Sequence, residues 1–293
     1  MKLSPIILAL FVLLNAESPA QTDGAQPPDA VTTPAGKTLT DVPALAPATS
    51  QFENAFVGRL APYEPIYFIY GPHSPAAKFQ FSIKYKILRF GVATPQYLPS
   101  TLQFGFTQRS LWDINASSSP FYDTSYMPEL FFESLAPISI GPGGWFTWLG
   151  YQVGFKHESN GREGPVSRSL NTVYARPVLA LGPSDGWRLV VSPVFFTYVG
   201  GLTDNRDLID YRGYGQLRLV FGKNTGPSLM YTGSAGKHWD RYTTQLDLTV
   251  PVRTRLLDFK TFLLLQYFNG YGESLLSYSA KTETIRAGVA IVR

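Results

Sequence analysis

Apolar and polar residues alternate strictly from Lys78 to Ile87: Phe79, Phe81, Ile83, Tyr85 and Ile87 hold the odd positions, and Gln80, Ser82, Lys84 and Lys86 the even ones. A period of two places the sets on opposite faces of a β-strand. The pattern recurs along the chain. Leu102, Phe104, Phe106 and Trp112 stand against Gln103, Thr107 and Arg109; Tyr242, Leu246, Leu248 and Val250 against Thr243, Gln245, Asp247 and Thr249; Ile285, Ala287, Val289 and Ile291 against Thr284, Arg286 and Gly288. About eleven or twelve such segments occur, each ~9–11 residues or a little more, the length that crosses a bilayer as a tilted strand. Helical periodicity is absent beyond the first residues. Tight links such as GPSDG (182–186) and GKNTG (222–226) are followed by longer polar ones, 200–212 and 269–279.

A soluble β-sandwich or lipocalin-like barrel also alternates, but sandwich strands are usually only about five or six residues long. Aromatics here gather at strand ends, in GWFTWLGY and YFNGYG, as they do at membrane interfaces. The pattern predicts an all-β chain: an antiparallel transmembrane β-barrel of about 12 strands over residues 52–293. The inward polar residues could plug a narrow barrel or line a small channel, so a passive outer-membrane barrel is the alternative to an enzyme.

The first twenty residues, MKLSPIILALFVLLNAESPA, carry an early Lys, an apolar run and a small-residue ending, which reads as a signal peptide (1–20) cut before Gln21. Residues 21–51 are rich in Pro, Ala and Thr and lack an aromatic until Phe52, so they read as a disordered, flexible tether. The chain has no Cys, and an exported domain without disulfides needs another source of stability. Barrel closure supplies one, since it satisfies every backbone group. The net charge of +4 is spread without a basic run and does not argue for nucleic acid.

Chemistry enters at KHESNGREGPVSRSLNTVYAR (156–176). The strand before it sets Trp145, Leu149, Tyr151, Val153 and Phe155 on an apolar stripe that runs on into His157 and Ser159. On the returning strand Asn171 shares a face with Val173, Ala175, Pro177 and Leu179. A turn centred on Gly164 pairs residue 157 with residue 171, because paired numbers in a hairpin have a constant sum. Directly opposed Cβ atoms on one face lie ~4.5–5.5 Å apart. A Ser–His–Asn row on the lipid-facing wall results. Polar side chains there are costly unless they satisfy one another, and the row has the order of nucleophile, base and orienter. The competing view is that SNG is simply a good turn and a rim His an interfacial side chain.

At these residues the sequence resembles the outer membrane phospholipase A family. HESNG is similar to that family's His-x-Ser-Asn-Gly, and SRSLNTVYAR to its Ser-Arg-Ser-x-Asn-x-x-Tyr-x-Arg; TQRSLW, SSPFYDTSYMPELFF and GYGESLLSY are similar to its other blocks, so the likeness runs from about Pro62 onward. The resemblance implies a twelve-stranded, calcium-dependent barrel in the bacterial outer membrane, active as a homodimer on phospholipid acyl esters, with phospholipase A1 and A2 activities. It implies Ser159 as nucleophile, His157 as general base and Asn171 as orienter. It implies a Ca2+ site from the Ser167 hydroxyl, the Arg162 carbonyl and the partner subunit's Ser118 carbonyl, and a dimer contact at Gln108, otherwise stranded on an apolar face. The chain departs from the family at Gly164, where an acidic residue often precedes the Pro, and at its end, AIVR, which lacks a terminal aromatic.

Other signals carry less. Gly-x-Ser-x-Gly is matched by the tight link GPSDG (182–186), but a link between two alternating strands is not the strand-to-helix turn of a nucleophile elbow, and no phosphate-binding fingerprint occurs. TDNRDLID (203–210) misses EF-hand spacing and reads as a solvated outer loop. His73 and His238 fall in loops without evident partners.

Overall fold

The computed structural model describes residues 58–92, 98–140, 145–223, 225–252 and 260–293; the signal peptide and tether expected over 1–51 lie outside them. The strands are β1 (Leu60–Pro62), β2 (Ile66–Tyr70), β3 (Ala77–Phe90), β4 (Ser100–Trp112), β5 (Phe121–Ile140), β6 (Phe146–Ser159) and β7 (Ser169–Leu181). They continue with β8 (Arg188–Tyr198), β9 (Gly215–Gly222), β10 (Ser228–Ala235), β11 (Tyr242–Val252), β12 (Thr261–Gly270) and β13 (Thr282–Val292). From β2 to β13 each strand pairs antiparallel with its sequence neighbour, and β13 returns to β2, which closes a barrel of twelve staves. The short β1 pairs with β3 beside β2, so β1 and β2 form one stave broken at residues 63–65.

The alternation appears as predicted. On β3, Phe81 is exposed while Lys78 and Ser82 are buried; on β13, Ile285, Val289 and Ile291 are exposed while Thr284 and Arg286 are buried. The apolar set thus faces outward and the polar set fills the lumen. Buried polar groups need partners, and most of these have them, although Gln103 Oε1 and Arg286 Nε are buried without one. Lys78 donates to Gln266 (2.7 Å) and Glu273 (3.3 Å), and Arg286 to Glu273 (2.6 Å). Glu133 accepts from Gln103 (2.7 Å), Gln152 (2.6 Å) and Lys84 (3.3 Å). At the break between β1 and β2 the chain turns inward: Tyr63 stacks on Phe131 with centroids 5.0 Å apart, and Glu64 pairs with Arg176 at 3.2 Å and Arg218 at 2.7 Å. Side chains cross the lumen and leave a polar cavity of about 270 Å³.

Three features depart from the sequence reading. Several strands exceed ~11 residues, β5 reaching 20. Strict parity fails on β6, where the register with β7 shifts between Trp148 and Gly150. The extra residue is Leu149; below it Thr147, not an even-numbered neighbour, is buried. Gly150 sits at this bulge with φ +136°, and a Cβ there would lie 2.1 Å from the Ser134 carbonyl oxygen, so only glycine fits. The site lies beyond the bulge, and its facing is unaffected. Finally, 203–210 is solvated only in part: Thr203, Asp204, Arg206 and Asp207 are exposed, but the stretch also has a buried side. Asn205 and Leu208 are buried, and Leu208 packs with Leu170, Leu275 and Tyr278 in a small rim core that includes the helical turn Ile209–Arg212.

Candidate active site

The rim that carries loop 160–168 also carries loops 113–120, 199–214 and 271–281. On β6 and β7 the sequence alternates outward His157, Ser159, Asn171 and Val173 with inward Glu158, Leu170, Thr172 and Tyr174, the inward four all buried. The register pairs His157 with Asn171 and Ser159 with Ser169. His157 Nδ1 lies 2.8 Å from Asn171 Oδ1. A carbonyl oxygen can only accept, so Nδ1 is the donor in this contact, and in the neutral ring that leaves Nε2 with its lone pair. Successive outward residues stand about 6.5 Å apart along a strand, which brings Ser159 and His157 within side-chain reach on one face. Ser159 Oγ accepts the Gly161 N–H at 3.1 Å.

Glu158, between the two, anchors this end of β6 from inside the barrel. Arg212 donates to both of its oxygens (2.7 and 3.3 Å), and Arg109 lies 3.8 Å away. From above, Val199 N–H donates to the Asn171 carbonyl at 3.0 Å. The outer wall therefore holds the polar row while the lumen and the rim hold the strands beneath it.

The residues singled out for a cation are distributed over the rim. Ser167 follows the 3-10 turn Gly164–Val166, and its hydroxyl donates to Asp204 Oδ2 at 2.9 Å. Arg162 sends its guanidinium to the Phe121 and Tyr122 carbonyls (3.3 and 2.6 Å), which ties loop 160–168 to the start of β5. Ser118 stands exposed in loop 113–120 with φ +64°. Asp204 lies in a polar stretch that no sequence motif singles out, and the fold brings its carboxylate to the Ser167 hydroxyl. Among the described residues no group of three or more His, Cys, Asp or Glu comes together, so a cation here would depend on hydroxyl, main-chain and single carboxylate oxygens.

Two further expectations change. Gln108 is not stranded: its amide donates to Ser110 Oγ at 3.3 Å, and Ser110 shares a hydrogen bond with Thr124 at 3.0 Å. Its oxygen and second N–H remain for a partner. His238 does have a neighbour, Asp210, at 3.8 Å.

The family model described as Phospholipase A1 matches residues 63–291. Phospholipase A1 of Escherichia coli (strain K12) is 32% identical over 218 residues, covering 73% of this chain and 68% of that protein. Among solved structures, outer membrane phospholipase A from Escherichia coli superposes with a TM-score of 0.67 at 28% identity, over 79% of this chain and 91% of that one. The Salmonella typhi outer membrane phospholipase, a dimer with bound calcium, gives a TM-score of 0.67 at 27% identity, again over 79% and 91%.

Proposed function

The chain belongs to the phospholipase A1 family, a barrel phospholipase of the outer membrane, and from that premise we propose that it hydrolyses phospholipid acyl esters at both glycerol positions, in a calcium-dependent reaction at Ser159, His157 and Asn171. The observation that carries this reading is the 2.8 Å contact of His157 with Asn171 on the outer wall beside Ser159. An imidazole held in one tautomer by a neutral amide is a base; an interfacial His needs no such partner.

In the proposed reaction Ser159 Oγ attacks the acyl carbonyl as its proton passes to His157 Nε2. Asn171 keeps the ring oriented while it is charged, and does so without placing a carboxylate against hydrocarbon. The Gly161 N–H, already 3.1 Å from Oγ, is positioned to donate to the oxyanion. Collapse expels the lysophospholipid alkoxide, which takes the proton from His157. Water, deprotonated by His157, then cleaves the acyl-enzyme and frees the fatty acid.

The donor chemistry suits a hard cation. The Arg162 carbonyl, the Ser167 hydroxyl and the neighbouring Asp204 carboxylate are all oxygens, and the partner subunit's Ser118 would add a carbonyl. When bound, calcium would supply positive charge near the ester oxygen. An ion that takes ~6–8 oxygens is better held by two subunits than one, which supports a calcium-dependent homodimer with Gln108 at its two-fold contact. Export through a leader cut before Gln21 and a tether over 21–51 belong to the same reading.

The deciding measurement is fatty-acid release from phospholipid–detergent mixed micelles, with calcium and with chelator. Calcium-stimulated release abolished by chelator is expected. A folded barrel that releases no fatty acid at any calcium concentration would overturn the reading in favour of a passive barrel.

A further inference from the structure

Loop 160–168 has no strand ladder of its own, and one side chain supplies much of its internal bonding. Asn160 is 4% exposed. Its Oδ1 accepts the Arg168 N–H at 3.0 Å and the Arg162 N–H at 3.4 Å, and its Nδ2 donates to the Val166 carbonyl at 2.8 Å. Its own N–H donates to the Arg168 carbonyl at 3.0 Å. A single buried amide thus joins both arms of the hairpin where the ladder of β6 and β7 has ended.

These bonds have two separable consequences. The first is local: a side-chain oxygen that accepts the N–H two residues on makes an Asx-turn. It brackets Gly161, which takes φ +65° and turns its N–H back to Ser159 Oγ. The second is across the loop. The bonds to Arg168 N–H and Val166 carbonyl flank Ser167 on both sides, and so fix the arm that presents its hydroxyl to Asp204.

We propose that Asn160 is the positioning residue of the site, setting at once the main-chain donor beside Ser159 and the separation of the Arg162 and Ser167 oxygens. It touches neither substrate nor ion. The proposal rests on the phospholipase reading above and adds to it a coupling: nucleophile side and cation side share one buried amide. A residue with that placement affects both, whereas a residue that only stabilises the loop alters the thermal midpoint and leaves the folded enzyme's parameters unchanged.

The test uses purified full-length chain in mixed micelles, with folding checked by heat-modifiable gel mobility. Two readouts are taken: the rate at which a long-chain alkylsulfonyl fluoride labels Ser159 at saturating calcium, and the terbium concentration that half-saturates the site, followed by luminescence in the absence of calcium. For Asn160→Ala, labelling about 10–100-fold slower is expected, together with a rise in the half-saturating terbium concentration of about 10-fold or more, the range seen when an outer-shell partner is removed. Asn160→Ser keeps a hydroxyl able to make the local turn but not to reach the far arm. It is expected to recover labelling to within about threefold of parent while the weakened cation binding persists. Folded Asn160→Ala that matches parent in both readouts overturns the proposal. Should Asn160→Ala fail to fold, parent-like values in both readouts for folded Asn160→Ser do the same. If Ser159→Ala is labelled as fast as parent, the phospholipase reading itself falls and takes the proposal with it, an outcome distinct from either Asn160 result.

Discussion

At the scale of single residues, Gly161 shows how little room the site has. A Cβ on it would lie 2.9 Å from Tyr126 Cε2, and its φ of +65° disfavours any other side chain. Its N–H faces Ser159, so Gly161→Ala should keep the barrel but lower turnover by about 10²-fold, the cost of losing one oxyanion donor. Ser159→Ala should fold with parent gel mobility and release no fatty acid; appreciable hydrolysis by the purified variant would remove Ser159 as nucleophile. Asn171→Ala should remain active but about 10–100-fold slower, because the ring loses its fixed tautomer and not its nucleophile. Misfolding of that variant would instead mark Asn171 as structural. The facing of these residues was legible because alternation and the turn centre at Gly164 together determine register. Asp204 was not legible: an acidic, polar stretch gives no sign of a fixed place in the fold unless one knows that Leu170 of β7 and Leu275 and Tyr278 of loop 271–281 cover the neighbouring Leu208.

Among the elements, loop 199–214 acts as a brace for the β6–β7 hairpin. Asp204 accepts from Ser167, Asn205 Oδ1 accepts the Ser169 N–H at 3.1 Å, and Val199 N–H reaches the Asn171 carbonyl. Loop 271–281 locks this brace, with Tyr278 hydrogen-bonded to Asp207 and with Ser274 Oγ and Leu276 N–H both donating to Asp123 (2.7 and 2.8 Å). Leu208 is fully buried at the centre, and Leu208→Ala should cost about 2–5 kcal/mol of local stability. The barrel wall does not depend on it. The expected result is a variant with parent heat-modifiability, faster proteolytic cutting within 199–214, and a raised calcium requirement for fatty-acid release. Unchanged calcium dependence with clear loop cleavage would show that the brace does not support the cation side. The twelve-stave sheet was readable from period-two patterning; its bulges were not, because one extra residue such as Leu149 leaves the composition of a strand untouched while inverting its lower half.

The whole molecule is stabilised from its lumen, and that gives it a pH signature. Burial pushes the Glu273 carboxyl up, but Lys78 and Arg286 beside it more than offset this and hold it below its ordinary value of 4.5. The folded state therefore binds this proton less readily than the unfolded chain. The stabilisation is present above the ordinary carboxylate range and is lost as pH falls through the lowered folded value. The thermal midpoint in detergent should fall with acidification in that window, and Glu273→Gln should be less stable than parent at neutral pH with a weaker acid dependence. An acid profile identical in parent and variant would exclude Glu273. Self-association is tested at the same scale: Gln108→Cys should cross-link between subunits under the calcium conditions that activate release. Full calcium-stimulated turnover from a preparation that stays monomeric would defeat the dimer requirement.

The outward set of β6 and β7 carries one more consequence. An enzyme with its reactive oxygen in a cleft samples substrate by volume, but Ser159 on the outer wall would meet phospholipid as part of its own solvent. Bulk molarity then ceases to be the relevant variable. The rate should follow the two-dimensional mole fraction of phospholipid in the surrounding amphiphile, so that adding inert detergent at constant phospholipid slows turnover while diluting the whole mixture leaves it unchanged until micelles or subunits come apart. In an intact bilayer that variable is set by the make-up of one leaflet, and a disturbance that moves phospholipid into the reacting leaflet would switch on hydrolysis with no signal other than the lipid itself.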